Sequence, residues 1–240
     1  MKRTFRTLPI RFPRRGAPSD LRRSAAPGHA AAGGRAGHAP GRIASSLSVV
    51  GHDVVRRVLD HWFGPPDGPR HCEPRGFWFT STPALDDELR RRFGADIAAA
   101  MRGRLRALER TPRGALALCL LLDQMTRNTA RGSAAAFAGD TASLAIARRA
   151  VARGFDGRLK PIQRVFLYLP YEHSESRGDQ GRCVGLMAAI RPPRNLRYAV
   201  AHREIIAKFG RFPHRNAALG RQDTDAERAY LAGEHQRFGQ

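Results

Sequence analysis

Eight consecutive apolar residues, Ala115 to Leu122, run directly into Asp123-Gln124-Met125-Thr126-Arg127-Asn128. A helix that is apolar on every face has to be buried all round. Polar and charged groups at the end of such a rod cost free energy unless partners meet them there. The chain must therefore bring partners for Asp123, Gln124, Arg127 and Asn128 from elsewhere. Two later segments offer them: Tyr171-Glu172-His173-Ser174-Glu175, and the stretch from Phe209 to Asn216 with its Arg211, His214 and Arg215. The three segments are expected to meet in one polar pocket.

The rest of the sequence reads as helices around that rod. Val54, Val55, Val58, Leu59 and Trp62 recur at helical spacing from Asp53, and Gly64-Pro65-Pro66 stops them. Thr82-Pro83 and Thr111-Pro112 each place a capping hydroxyl before a proline at the first helical position. Leu85, Leu89, Phe93, Ile97 and Met101 step by four along one face. Asp140 is read as the cap of a helix that ends near Gly154, Pro161 as the start of one that Pro170 breaks or kinks, and Asp179 as the start of one that ends at Pro192-Pro193. Leu196, Val200, Ile205, Ile206 and Phe209 form a further face ending at Gly210, and Thr224-Asp225 opens a last helix. No stretch alternates with the period of a strand, and no self-similarity of the ~34-residue kind marks repeats. The predicted class is all-α: roughly eight helices in antiparallel packing through short connections. Residues 1–46, rich in Arg, Pro, Gly and Ala, carry too few periodic apolar residues to offset chain entropy and are expected to be a disordered tail. Their Arg-rich, acid-poor composition resembles both a transit peptide and a translated upstream region. Residues 47–240 are expected to form a single helical domain.

Charge narrows the partners. The chain has 42 Lys and Arg against 21 Asp and Glu, a formal net charge of +21, and Lys occurs only at positions 2, 160 and 208. Without residues 1–46 the balance is 32 to 20, still basic enough to attract anions. No basic cluster interleaved with aromatics points to a specific nucleic acid. The cysteines, Cys72, Cys119 and Cys183, are far apart and form no Cys-X-X-Cys pair, so a reducing, cytoplasmic setting is expected. The longest apolar run is far below the ~18 residues of a membrane span. Phosphate-loop, dinucleotide, serine-hydrolase and zincin motifs are missing from the sequence, and neither a cofactor nor a metal is expected.

Four motifs then occur in an order and spacing that resemble one bacterial family. They are Leu59-Asp60-His61-Trp62-Phe63-Gly64, the segment from Leu120 to Asn128, the segment from Phe166 to Glu175, and residues 209–216. The chain is similar, over about residues 50–238, to the family catalogued as domain of unknown function 924. That resemblance implies a tetratricopeptide-like helical fold and implies no activity. His61 stands where the family commonly has an aromatic residue, and Met125-Thr126 where it commonly has Phe-Pro.

Within the polar segments, Asp123 and Arg127 share a helix face at i,i+4. They form either a structural ion pair or a carboxylate that orients a guanidinium for bidentate anion binding. Gln124 and Asn128 add amide groups, and Asn128 is equally a helix-end cap. Glu172 and His173 are the candidate general bases, His214 the candidate proton donor if Glu172 lies near it and raises its pKa, and Arg127 with Arg215 the stabilisers of negative charge. Arg211, His214 and Arg215 require an acid or an anion between them, with Glu172 and Glu175 the expected acids. Asn216 completes the set. The favoured reading is a soluble helical domain that binds a small anionic molecule or an acidic peptide end. An enzyme of the hydrolase type and an interaction scaffold with a purely structural network are the alternatives.

Overall fold

The computed structural model of the chain describes residues 41–78, 82–191 and 195–233, with 41–50 described by their backbone. Most of the tail expected over 1–46 lies outside the described residues, as do Phe79 and the Pro192-Pro193 stop. Among the described residues all regular structure is helical, and α1 spans Gly41–Phe63, α2 Pro83–Met101, α3 Pro112–Cys119, α4 Thr126–Thr129, α5 Asp140–Ala152, α6 Pro161–Glu172, α7 Arg177–Ala188, α8 Leu196–Phe209 and α9 Asp225–Ala232. α3 and α4 are one rod joined by a π-helical turn, Leu120–Met125. α1 begins well before the Asp53 start read from the sequence, because Ile43, Leu47 and Val50 already continue the helical register of Val54.

The rod is the centre of the core. Every residue from Gly114 to Arg127 is buried, and Leu116, Leu120 and Leu121 are fully enclosed. α1, α5 and α6 pack against α3, while α2 lies against the π turn and α4. α6, α7 and α8 follow as successive neighbours. Trp62, Phe63, Trp78 and Phe166 meet edge to face, and Trp78 donates its indole N–H to the Trp62 carbonyl at 2.9 Å. His61 packs as an aromatic ring: it lies 5.5 Å from the ring of Phe77 and 5.1 Å from that of Phe93, and burial pulls its pKa down to about 4.

The caps follow the sequence in most places. The Thr82 and Thr111 hydroxyls accept from Leu85 N and Gly114 N ahead of Pro83 and Pro112. Thr224 closes a capping box with Glu227. Gly210 ends α8 with a left-handed φ of 73°. Three boundaries differ. Pro170 does not stop α6, which runs on to Glu172; its missing N–H removes only the bond to the Phe166 carbonyl, and the final turn closes through His173 N to Leu169 O. α7 starts at Arg177, ahead of Asp179. α5 is capped by Gly139, and Asp140 is its first residue with its side chain committed elsewhere.

Gly139 has a packing reason. A Cβ built there would sit 2.0 Å from the Leu122 carbonyl oxygen. The close approach of this glycine to the π turn places Asp140 beside the end of the central rod. Gly139→Ala is therefore expected to destabilise the fold by about 1–3 kcal/mol, the usual cost of forcing atoms into a packed core, as read by denaturant unfolding. Leu121→Ala, at the centre of the rod, is expected to cost about 2–5 kcal/mol. A loss below about 1 kcal/mol for Leu121→Ala would show that the rod is not the core.

Candidate functional site

The end of the rod is wider than an α-helix. In the π turn the backbone bonds skip one residue further, and the Thr126 hydroxyl donates to the Leu121 carbonyl at 2.7 Å. This turn holds Asp123, 1% exposed, at the bottom of the cluster. Arg127 donates to Asp123 Oδ1 at 2.7 Å and to the Asp123 carbonyl at 2.9 Å, and Gln124 donates its amide to Asp123 Oδ2. From the end of α6, His173 places Nδ1 2.7 Å from Asp123 Oδ1. Burial works against the Asp123 charge, yet Arg127 and His173 outweigh it and hold the carboxyl well below the usual range.

Asp140 joins this group from α5. Arg127 NH2 donates to Asp140 Oδ2 at 2.9 Å, and Arg215 NH1 donates to the same oxygen at 3.2 Å. Two guanidiniums thus share one carboxylate oxygen across a sequence separation of almost ninety positions. The Phe137 ring lies 4.8 Å from the Arg215 guanidinium carbon and 5.7 Å from that of Arg127, and the Phe212 ring lies 4.5 Å from that of Arg215. Arg215 is only 6% exposed, and its Nε has no hydrogen-bond partner among the described residues. Burial, and then Arg127, lower its pKa to about 10.

The third segment closes the group from the other direction. Glu175 accepts the Phe212 backbone N–H at 2.8 Å and takes a bidentate pair from Arg221 at 2.9 and 3.0 Å. Burial opposes the Glu175 charge, but Arg221 and the Phe212 amide prevail and lower its pKa. Asn216 donates to Asp223 at 2.6 Å. The His214 ring lies 5.4 Å from that of Phe212. Its pKa falls to about 3 through burial and the nearby Arg215, so the rise considered for it does not occur. Glu172 is 4% exposed, and burial together with Asp123 pushes its carboxyl up to about 8. That shift favours its neutral form near neutral pH. Burial, then Arg127, lowers the pKa of His173 against the pull of Asp123.

The structure thus brings together Asp123, Gln124, Arg127, His173 and Arg215, and sets Glu172, Glu175, His214 and Asn216 around them. Two candidates stand apart. Asn128 faces Arg131, whose NH2 is 3.5 Å from its Oδ1 and which pairs with Asp86. Arg211 pairs with Glu227 and donates to the Gln222 carbonyl. The acids expected for the turn are also redistributed: Asp140 serves Arg215, Glu227 serves Arg211 and Glu175 serves Arg221. Sequence reasoning passed over two residues, Asp140 and His202. Asp140 read as a cap. His202 is 4% exposed, with Nδ1 2.8 Å from the Tyr198 carbonyl and 3.5 Å from Glu172 Oε1. The apolar positions on either side of it in α8, Ala199 and Ile206, carry the signal that would have placed it inward.

An all-helical domain with a buried Asp–Arg–His network at one end of its central rod is the class these features define. The chain belongs to a bacterial family of proteins of unknown function, DUF924, whose model matches residues 58–235. It is also similar to a solved protein of unknown function, ATU0120 from Agrobacterium tumefaciens, with 35% identity and a TM-score of 0.66 over 78% of this chain and 98% of that one. No curated protein matches the chain. Among the described residues no helix is long and apolar enough to cross a membrane.

The Arg211–Glu227 pair makes a checkable claim about pH. Hydrogen bonds from Arg211 hold the Glu227 carboxyl well below its ordinary range, with burial opposing. A carboxyl whose folded-state pKa is depressed stabilises the fold above its unfolded pKa, about 4.3, and loses that contribution as pH falls further. Glu227→Gln is expected to melt below wild type at pH 7 and to approach it as the pH drops through the acid range. A gap of constant size across that range would show that the pair's charge contributes nothing.

Proposed function

We propose that the cluster binds a small anion, a carboxylate or a phosphate, free or at the end of an acidic peptide. The observation that carries this reading is the Arg215 guanidinium. It is buried, makes a single 3.2 Å hydrogen bond to an oxygen already used by Arg127, and has an Nε with no partner among the described residues. A buried cation in that condition is under-compensated, and its lowered pKa has the same cause. An incoming oxyanion supplies the missing acceptors and matches the guanidinium fork bidentately. The Arg127–Asp123–Asp140 pairs fix the neighbouring charges so that the anion need only meet Arg215 and the edge of Arg127. The excess of basic residues over the whole chain raises the local concentration of anions.

The test compares phosphate, sulfate and a dicarboxylate with chloride at equal ionic strength, which removes general salt effects. A ligand that binds only the folded state adds RT ln(1 + [L]/Kd), about 2.7 kcal/mol at a hundred times Kd, and raises the melting temperature accordingly. Arg215→Gln is expected to abolish the anion-specific shift while the variant stays folded, because Asp140 keeps Arg127. An unchanged shift in that variant, or equal shifts with chloride in the wild type, would reject the anion site.

A further inference from the structure

Beside the two arginines stands a second constellation that the anion reading does not use. Glu172, His173 and His202 each offer a ligand atom, and these atoms lie within 4.8 Å of one another. Glu172 and His173 are successive residues at the end of α6, and α8 brings His202 to them, its ring 6.1 Å from that of His173. We propose that these three side chains form a binding site for a divalent first-row transition ion of the zinc class, held by two imidazoles and one carboxylate.

Four observations carry the assignment. Glu172 Oε2 is buried and has no hydrogen-bond partner among the described residues, and a buried carboxylate oxygen is ordinarily paired or bound to a metal. The Asp123 carboxylate stands beside the group, bearing on Glu172 and hydrogen-bonded to His173, and supplies a negative charge opposite that of Arg127 and Arg215. Both imidazoles are oriented through Nδ1, His173 by the Asp123 carboxylate at 2.7 Å and His202 by the Tyr198 carbonyl at 2.8 Å. Metal-binding histidines are habitually held in place by a carboxylate or carbonyl on one ring nitrogen. The span is within reach: ligand bonds of about 2.0–2.2 Å put tetrahedral donors roughly 3.3–3.6 Å apart, so atoms within 4.8 Å of one another close on an ion by side-chain movements of about 1–1.5 Å.

The donor set states which ion. Two imidazole nitrogens and a carboxylate suit zinc and its neighbours, whereas magnesium and calcium prefer oxygen throughout. Three protein ligands leave at least one position for water or for a ligand atom. The ion takes the place of the Glu172 proton, which leaves to solvent. The adjacent pair Glu172-His173 matches none of the metal-binding motifs whose absence led the sequence reading to expect no metal. His202, thirty positions beyond Glu172, is the ligand that the sequence did not reveal.

Chelator-stripped full-length protein titrated with zinc chloride, followed by calorimetry and native mass spectrometry, tests the site. One equivalent should bind, unaffected by excess magnesium, and the melting temperature should rise. Glu172→Gln and His202→Gln should each weaken binding by more than the ~10–100-fold that loss of an outer-shell partner costs. No binding by the stripped wild type, or unchanged affinity in both variants, overturns the proposal. Should the variants fail to fold by circular dichroism, cobalt-loaded wild type decides. Visible bands without a thiolate charge-transfer band, together with shifted proton resonances from two imidazoles, support the site; a thiolate band, reporting Cys72, overturns it. Arg215 enters none of these outcomes, so the anion and metal readings fail independently.

Discussion

A carboxylate enclosed at the end of an apolar rod governs the interior of this domain. Asp123 is 1% exposed, and a charge so far from water is tolerable only with cations and donors fixed around it. Arg127 comes from the next turn of the same rod, Gln124 from the adjacent position and His173 from the end of α6. Arg127 then carries charge to Asp140, and Asp140 carries it to Arg215. One buried negative charge thus ties together α4, α5, α6 and the turn after α8. Removing a single partner from such a network typically costs about 3–5 kcal/mol, because the other charge is left buried and alone. The network is consequently both a binding surface in prospect and a set of struts in fact.

The fold was legible because its signals are local. Thr-Pro starts, glycine ends and apolar residues stepping by three and four are properties of neighbours along the chain, and the helices they predict are the helices found. The meeting of the three polar segments was legible for a different reason. A charged end on an all-apolar rod demands partners, and few segments had them to give. What stayed hidden depended on long-range geometry. Asp140 looks like any N-terminal helix acid until Gly139 is seen against the Leu122 carbonyl. His202 shares a helix face with Ala199 and Ile206, but which residues that face meets shows only once α8 is docked on α6 and α7. The π turn has no signature in composition, since leucines serve an α-helix equally well. The pairing of acids with bases was the least accessible part. Arg211, Arg215 and Arg221 lie within eleven residues, and nothing in their spacing says which of Glu227, Asp140 and Glu175 each will take.

The polar interior divides into two chemical neighbourhoods joined by Asp123. On one, Arg127 and Arg215 share an oxygen of Asp140, and Arg127 reaches Asp123 as well. On the other, His173 reaches Asp123, and Glu172 and His202 stand beside it. Charges shared among several partners around one buried group are what separate this cluster from an ordinary structural salt bridge, in which the charges cancel within the pair. The chain shares its family with proteins of unknown function, so the site chemistry has to be argued from these side chains rather than from a relative's activity.

The wide turn at Leu120–Met125 has a consequence for how the chain can vary in length. An α-helix advances by about 100° per residue, so one extra residue absorbed in a π turn rotates everything after it by that amount. The phase of Arg127 relative to the leucines before it is therefore set by a count of residues and not by their identity. Deleting one leucine would leave a well-formed, still apolar helix. It would also turn the guanidinium by about a quarter of a circle, away from Asp140. Leucine exchanges at modest cost for apolar residues of similar volume throughout the segment, whereas its length is fixed.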